Sequence, residues 1–177
     1  KTRNVIFRKG DFNINKKEFS FFSNLLFLDQ VRDKITFQDT NIFFLDKVKN
    51  EMLFINKIKN SIFYFDEKNT ENVISSKNEI FNVPYKLIFK NNIMDEAISS
   101  KFNSKKIRLN IENKIDYSKK IKSGILEMMF INKNISLKYN KNQNFIEFSS
   151  LDTKNNFKGQ IDLKPFYLFS SFNYNQL

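Results

Sequence analysis

Between Asn155 and Asn173 apolar and polar positions alternate, and the pattern predicts two strands. Phe157, Gly159, Ile161 and Leu163 interleave with Lys158, Gln160, Asp162 and Lys164, which is the period of a half-buried strand. Phe166, Leu168, Ser170 and Phe172 then share one face of the next segment, with Tyr167 and Phe169 on the other. Pro165 lacks an amide proton and pushes its neighbour toward extended geometry, so it marks a bend or an edge.

The same period recurs upstream. Phe81, Val83, Tyr85, Leu87 and Phe89 form an apolar stripe, with Pro84 facing the other way as the mark of a bulge or edge. Ile107, Leu109 and Ile111 alternate with Arg108, Asn110 and Glu112. Ile35 and Phe37, the run Ile125 to Ile131, the set Ile135, Leu137 and Tyr139, and Phe145 to Phe148 add further strands. Val5 with Phe7 and Phe12 with Ile14 alternate more weakly, around a turn signal at Gly10-Asp11. Four stretches are apolar on both faces: Ile42 to Leu45, Met52 to Ile55, Ile62 to Phe65 and Phe166 to Phe169. The first three are read as separate strands divided by turns rich in Lys and Asn, with Asp39-Thr40-Asn41 setting the first apart from Ile35 and Phe37. A single sheet with one wet face has no need of such stretches, so a second layer, a ligand or a neighbouring module is expected to cover them.

About a dozen short strands at this spacing predict an all-β, mainly antiparallel fold: a sandwich, a barrel or a long curled sheet. Lys16 to Asp33 is the one segment with partial helical spacing, and it reads equally as a strand and a turn, so at most one or two short helices are expected. Phe54-Ile55-Asn56-Lys57 recurs as Phe130-Ile131-Asn132-Lys133 with Ser and Tyr following at near-equal distance, an echo that would suit an elongated repeat fold. The length of 177 residues predicts one domain spanning 1–177. The chain begins at Lys1 without Met and stops after a strand-like run, and it is expected to be a piece of a longer protein.

Composition narrows the chemistry. There is no His and no Cys among the residues, so the usual zinc ligand set, a thiol nucleophile and a serine–histidine triad are absent. Tyr64 and Lys68 have the spacing of a dehydrogenase dyad, but no glycine-rich phosphate loop accompanies them. Asp29 with Asp33, and Asp39 with Asp46, are candidate carboxylate pairs that read better as solvated turn residues. Asn134-Ile135-Ser136 is a glycosylation sequon by pattern alone. No catalytic residue, no metal and no cofactor is expected, and the protein is read as a non-enzyme.

The balance of 30 basic against 19 acidic residues leaves a net charge of +11. Nearly all of the positive charge is Lys, spread over every polar stretch, whereas nucleic-acid readers cluster cations and lean on Arg. No specific nucleic-acid partner is expected. No apolar run is long enough to span a membrane as a helix, and no signal-peptide pattern opens the chain.

The run Phe157-Lys158-Gly159-Gln160-Ile161-Asp162-Leu163-Lys164-Pro165-Phe166-Tyr167-Leu168 resembles a segment of AsmA-like proteins from Gram-negative envelopes, especially those of A/T-rich alphaproteobacteria. Ile35 to Phe44 and Phe102 to Asn113 add to the resemblance. The resemblance implies a long β-sheet curled into an open groove with an apolar interior, held in the periplasm by an inner-membrane anchor that lies outside this chain. It also implies phospholipid as partner, possible contacts with other envelope proteins, and a role in lipid transport toward the outer membrane or in outer-membrane assembly. The groove residues expected on this reading are Phe81, Val83, Tyr85, Leu87, Phe89, Ile107, Leu109, Ile111, Phe157, Ile161 and Leu163. The competing reading is a structural or adhesive β-module that binds protein neighbours only, its two-faced strands forming a sheet-on-sheet core.

Overall fold

A computed structural model of the chain describes residues 3–15, 33–46, 49, 51–152, 155–163 and 166–174. The expected helix in Lys16 to Asp33 falls almost wholly outside the described residues, and among those described there is no helix.

The fold is all-β: one long, mostly antiparallel sheet that is not closed. The strands are β1 (Asn4–Arg8), β2 (Asp11–Ile14), β3 (Lys34–Asp46), β4 (Glu51–Asp66), β5 (Glu71–Ile80), β6 (Val83–Asn92) and β7 (Ala97–Ser104). They continue as β8 (Leu109–Asp116), β9 (Lys122–Phe130), β10 (Lys133–Lys141), β11 (Phe145–Ser150), β12 (Asn155–Leu163) and β13 (Phe166–Tyr174). From β3 to β13 each strand pairs with the one before it, an uninterrupted meander. β1 and β2 both run parallel to β3 along its remaining edge.

That arrangement corrects three expectations. Gly10-Asp11 does not reverse the chain: β1 and β2 point the same way, joined through Lys9 at φ 52° and held by Lys9 N donating to Gln38 O and Asn41 N to Gly10 O. Asp39-Thr40-Asn41 is no turn either, because β3 passes through it with Asp39 at φ 51°. The segments Met52 to Ile55 and Ile62 to Phe65 belong to one strand, β4. Gln38 pairs with Asn60 and Thr40 with Ile58, which leaves Asp39 and Lys59 facing one another unpaired. Lys9, Asp39 and Lys59 thus form a line of irregularities across three strands. Each extra residue switches the parity of inward and outward positions, as a bulge must.

The turns use Asn and Asp where other meanders use Gly. Phe81-Asn82 and Ile131-Asn132 are two-residue hairpins with both residues at positive φ, the type I′ geometry. Asp66 accepts from Lys68 N and Asn69 Nδ2, and Asn92 Oδ1 accepts from Asp95 N, each side chain standing in for a backbone partner at its turn. The echo of Phe54-Ile55-Asn56-Lys57 in Phe130-Ile131-Asn132-Lys133 is not structural: the first lies mid-strand in β4 and the second spans the β9–β10 turn.

Extensive contacts between strands run only between hydrogen-bonded neighbours, so no second layer packs on the sheet among the described residues. The accessible surface measures 13453 Å². A compact monomer of 21.2 kDa would expose about 9,000 Å². Among the described residues the buried apolar ones are Ile14, Ile58, Val73 and Ile98, and nothing packs on either face of the sheet.

Candidate functional site

Directly paired residues in a sheet share a face, so the register sorts the side chains. One face carries Phe63, Ile74, Leu87, Phe89, Phe102 and Ile111, and continues through Leu126, Met128, Leu137, Phe148 and Ile161. The opposite face of β5 to β12 carries mainly charged, amide and hydroxyl side chains, including the ion pairs Lys57–Glu79, Lys90–Glu71 and Lys101–Glu112 at 3.2, 2.7 and 2.9 Å. The middle of the sheet is amphipathic, and the stretches that are apolar on both sides lie in β3, β4 and β13, toward its two ends.

Of the expected groove residues, Val83, Tyr85, Leu87, Phe89, Leu109, Ile111, Phe157, Ile161 and Leu163 all lie on the apolar face. Phe81 and Ile107 do not belong to the stripes. Phe81 sits in the β5–β6 turn and is 74% exposed, and Ile107 sits in the Lys105–Arg108 turn. Their alternation with the strand residues stops at the positive φ of Phe81, Asn82 and Arg108.

The face is deepest over β8 to β12, in a hollow of about 410 Å³ lined by Ile115, Leu126, Leu137, Ile146, Phe148 and Phe157, among others. That volume lies within the range of small-molecule sites. Only Phe157 and Ile161 of the expected residues reach it. The missed lining had a signal in part: Ile135, Leu137 and Tyr139 alternate, but Ile125 to Phe130 is apolar at too many positions for its parity to show.

Two glycines lie beneath aromatic rings of its lining. A Cβ on Gly124 would collide with the ring of Tyr139, and one on Gly159 with the ring of Phe148 and the carbonyl of Phe169. Both aromatic rings therefore lie flat over glycine backbone instead of standing upright. Phe148 packs on Phe157 with ring centroids 5.3 Å apart.

Three tyrosines hold the polar atoms of the apolar face together. Tyr85 Oη donates to Asn56 Oδ1 at 2.9 Å, Tyr117 Oη to Asn91 Oδ1 at 2.8 Å, and Tyr139 Oη to Asn113 Oδ1 at 2.7 Å. Tyr85 and Tyr139 each reach over one intervening strand, and Tyr117, just beyond β8, does the same to β6. The phenol gains a partner and the amide oxygen is satisfied without exposing either to water. Burial raises all three phenol pKa values, partly offset by the Asn hydrogen bonds.

A larger hollow of about 760 Å³ opens on the polar face over β8 to β13, lined by Lys114, Lys138, Glu147, Lys158 and Gln160, with Phe169 alongside. A twisted sheet is saddle-shaped, so each face is concave along one diagonal. The larger hollow has Lys114, Asp116, Lys138, Glu147 and Lys158 on its walls, whereas Lys141 is the one charged residue lining the smaller, so water is least favoured there. No cluster of three or more acidic side chains suited to a metal ion exists among the described residues. No helix of the described residues is long and apolar enough to cross a membrane, which says nothing of strands.

No family model, no curated protein and no solved structure matches the chain.

Proposed function

We propose that the apolar face shelters the acyl chains of phospholipid, as a non-enzymatic segment of an AsmA-like envelope protein in the periplasm. The observation that carries this reading is the uncovered face itself: a mainly apolar surface over β6 to β12, interrupted by buried Asn and Ser side chains, with no second layer on it among the described residues. Apolar chains laid on it gain about 0.8 kcal/mol per buried methylene, without directional chemistry. The flat rings of Tyr139 and Phe148 keep the hollow open, and the tyrosine–asparagine bonds keep amides from offering water a foothold there. The resemblance in Phe157 to Leu168 supports the same reading and supplies the envelope setting, with an inner-membrane anchor outside this chain and lipid transport or outer-membrane assembly as the role.

The test is a photo-crosslinking residue at Leu126, inside the hollow, with Lys138 on the polar face as control. Lipid adducts at position 126 and none at 138 are the expected result. Protein adducts without lipid at 126 would favour the structural or adhesive module, whose partner would cover the same face. No adduct of either kind at 126 would overturn the lipid reading.

A further inference from the structure

Alternate turns of a meander lie at the same end, which places Phe81-Asn82, Lys105 to Arg108 and Ile131-Asn132 side by side. Lys106 Nζ donates to Asn82 O at 2.8 Å and Ile131 N to Arg108 O at 3.2 Å, linking the three. Each turn presents a large apolar side chain to solvent: Phe81 is 74% exposed, Ile131 51% and Ile107 37%.

Two of these side chains sit in strained backbone and are not buried by the fold. Phe81 and Ile131 occupy the first central position of type I′ turns at φ 49° and 46°. Asn, Asp or Gly is preferred there, and a bulky or β-branched residue is strained. Strain and exposure together cost stability, and for Phe81 the nearest ring is Phe54 at 6.4 Å between centroids. Strained positions of this kind gather at functional surfaces.

Charge separates this end from the other. The three linked turns hold Lys105, Lys106 and Arg108 and no acidic residue, while the acidic residues of this end stand apart from them, Asp152 in the β11–β12 turn and Asp46 with Glu51 on the β3–β4 ladder. The opposite turns also expose Met94 and Ile121, but they balance Lys68, Lys119 and Lys120 with Glu67, Asp95 and Glu96. Behind the cationic end, Lys77 and Lys86 pair directly across β5 and β6, and with Lys59 and Lys105 they line a shallow hollow of about 250 Å³. Glu79, the acidic residue nearest along β5, is taken by Lys57. In the same direction β4 runs on past its pairing with β5, and this projection is apolar on both faces, with Met52 and Leu53 exposed.

We propose that this end of the sheet docks on an anionic phospholipid bilayer. Phe81, Ile107 and Ile131 enter the interface, and Lys105, Lys106 and Arg108 meet the phosphates. Lys77 and Lys86 stand about 10–13 Å behind the tip of their hairpin at the rise of a strand. The headgroup layer is about 5–8 Å thick, so their side chains reach its outer margin. Each cation near such a surface strengthens binding. Glu51 lies five residues, about 15 Å, beyond the level of Phe81, so the β3–β4 projection lies along the surface, with the register shift between Phe44 and Leu45 at its bend and Asp46 and Glu51 among the headgroups.

The experiment is flotation with vesicles of phosphatidylcholine alone and of phosphatidylcholine with phosphatidylglycerol. The variants are Phe81→Asn with Ile131→Asn, and Lys105→Gln with Lys106→Gln and Arg108→Gln. The unaltered chain should float with the anionic vesicles. The double Asn variant should bind at least tenfold more weakly while melting at the same or a higher temperature, because Asn suits the turn. The triple Gln variant should lose the preference for anionic lipid. The proposal is overturned by flotation with neither vesicle, by undiminished binding of the double variant, or by a fall in its melting temperature, which would give Phe81 and Ile131 a role in the fold. Self-association that the double variant abolishes, without vesicle binding, would assign the surface to a second copy instead. Lipid capture at Leu126 is measured separately, so the groove reading stands or falls on its own.

Discussion

Tyr85, Tyr117 and Tyr139 show what a single residue does in a sheet with no second layer. Each is pinned by an asparagine on a strand beyond its neighbour, and each phenol pKa is raised above the ordinary value of 10.0 by burial. The folded chain therefore keeps these protons to higher pH than the unfolded chain does. Their contribution is fully present below about pH 10 and is lost as pH climbs through the folded values. Lys90, raised mainly by its hydrogen bond to Glu71, acts in the same direction just above that range. The expected outcome is a urea midpoint that is flat with respect to these groups below about pH 10 and falls above it, in step with phenolate absorbance. Tyr139→Phe should flatten part of the fall and cost about 1 kcal/mol at neutral pH, because Asn113 Oδ1 loses its donor. An unchanged alkaline limb in the Tyr85→Phe, Tyr117→Phe and Tyr139→Phe variant combined would rule out the tyrosines as its source. None of this was legible in the sequence. The partners lie 26 to 29 residues apart and follow no fixed spacing.

Strand existence was legible, and strand continuity was not. Alternation marks β6, β8, β10 and β12 plainly, because one face is apolar and the other charged. β3 and β4 defeat that reading. Asp39 and Lys59 look like turn residues, and their bulges shift the parity midway, so one long strand reads as two short ones. Phe81 and Ile107 joined the stripes on paper for the related reason that periodicity is blind to positive φ. The β5–β6 hairpin carries a further feature that alternation hides, the direct pairing of Lys77 with Lys86. Like charges in that relation repel, and opposite charges contribute roughly 0.2–1 kcal/mol. Lys86→Glu should therefore raise the urea midpoint slightly with an unchanged slope, and should weaken flotation on anionic vesicles. A lower midpoint would show that the Lys86 stem matters more to the hairpin than its charge does.

For the whole molecule, the sequence posed a question that the structure turns around. Runs apolar on both faces implied a covering layer, yet they fall in β3, β4 and β13, while the middle of the sheet has one apolar face and no described element upon it. Among the described residues β13 pairs along one edge only, and Tyr167 and Phe169, each 60% exposed, stand on it. An edge without a partner is a template for pairing with another chain. A mainly apolar face left uncovered among the described residues makes the free chain a poor endpoint in water. An amphiphile that covers the apolar face should relieve this. Removing bound lipid by extraction should produce strong binding of a hydrophobic dye and concentration-dependent self-association. Adding back a phospholipid with short chains, below its micelle concentration, should reverse both and raise the melting temperature in proportion to the logarithm of free lipid. A delipidated chain that stays monomeric, excludes the dye and melts at the same temperature with or without lipid would mean that the face is already covered in solution. The acyl-chain reading would then lose its footing, since it rests on that face being open.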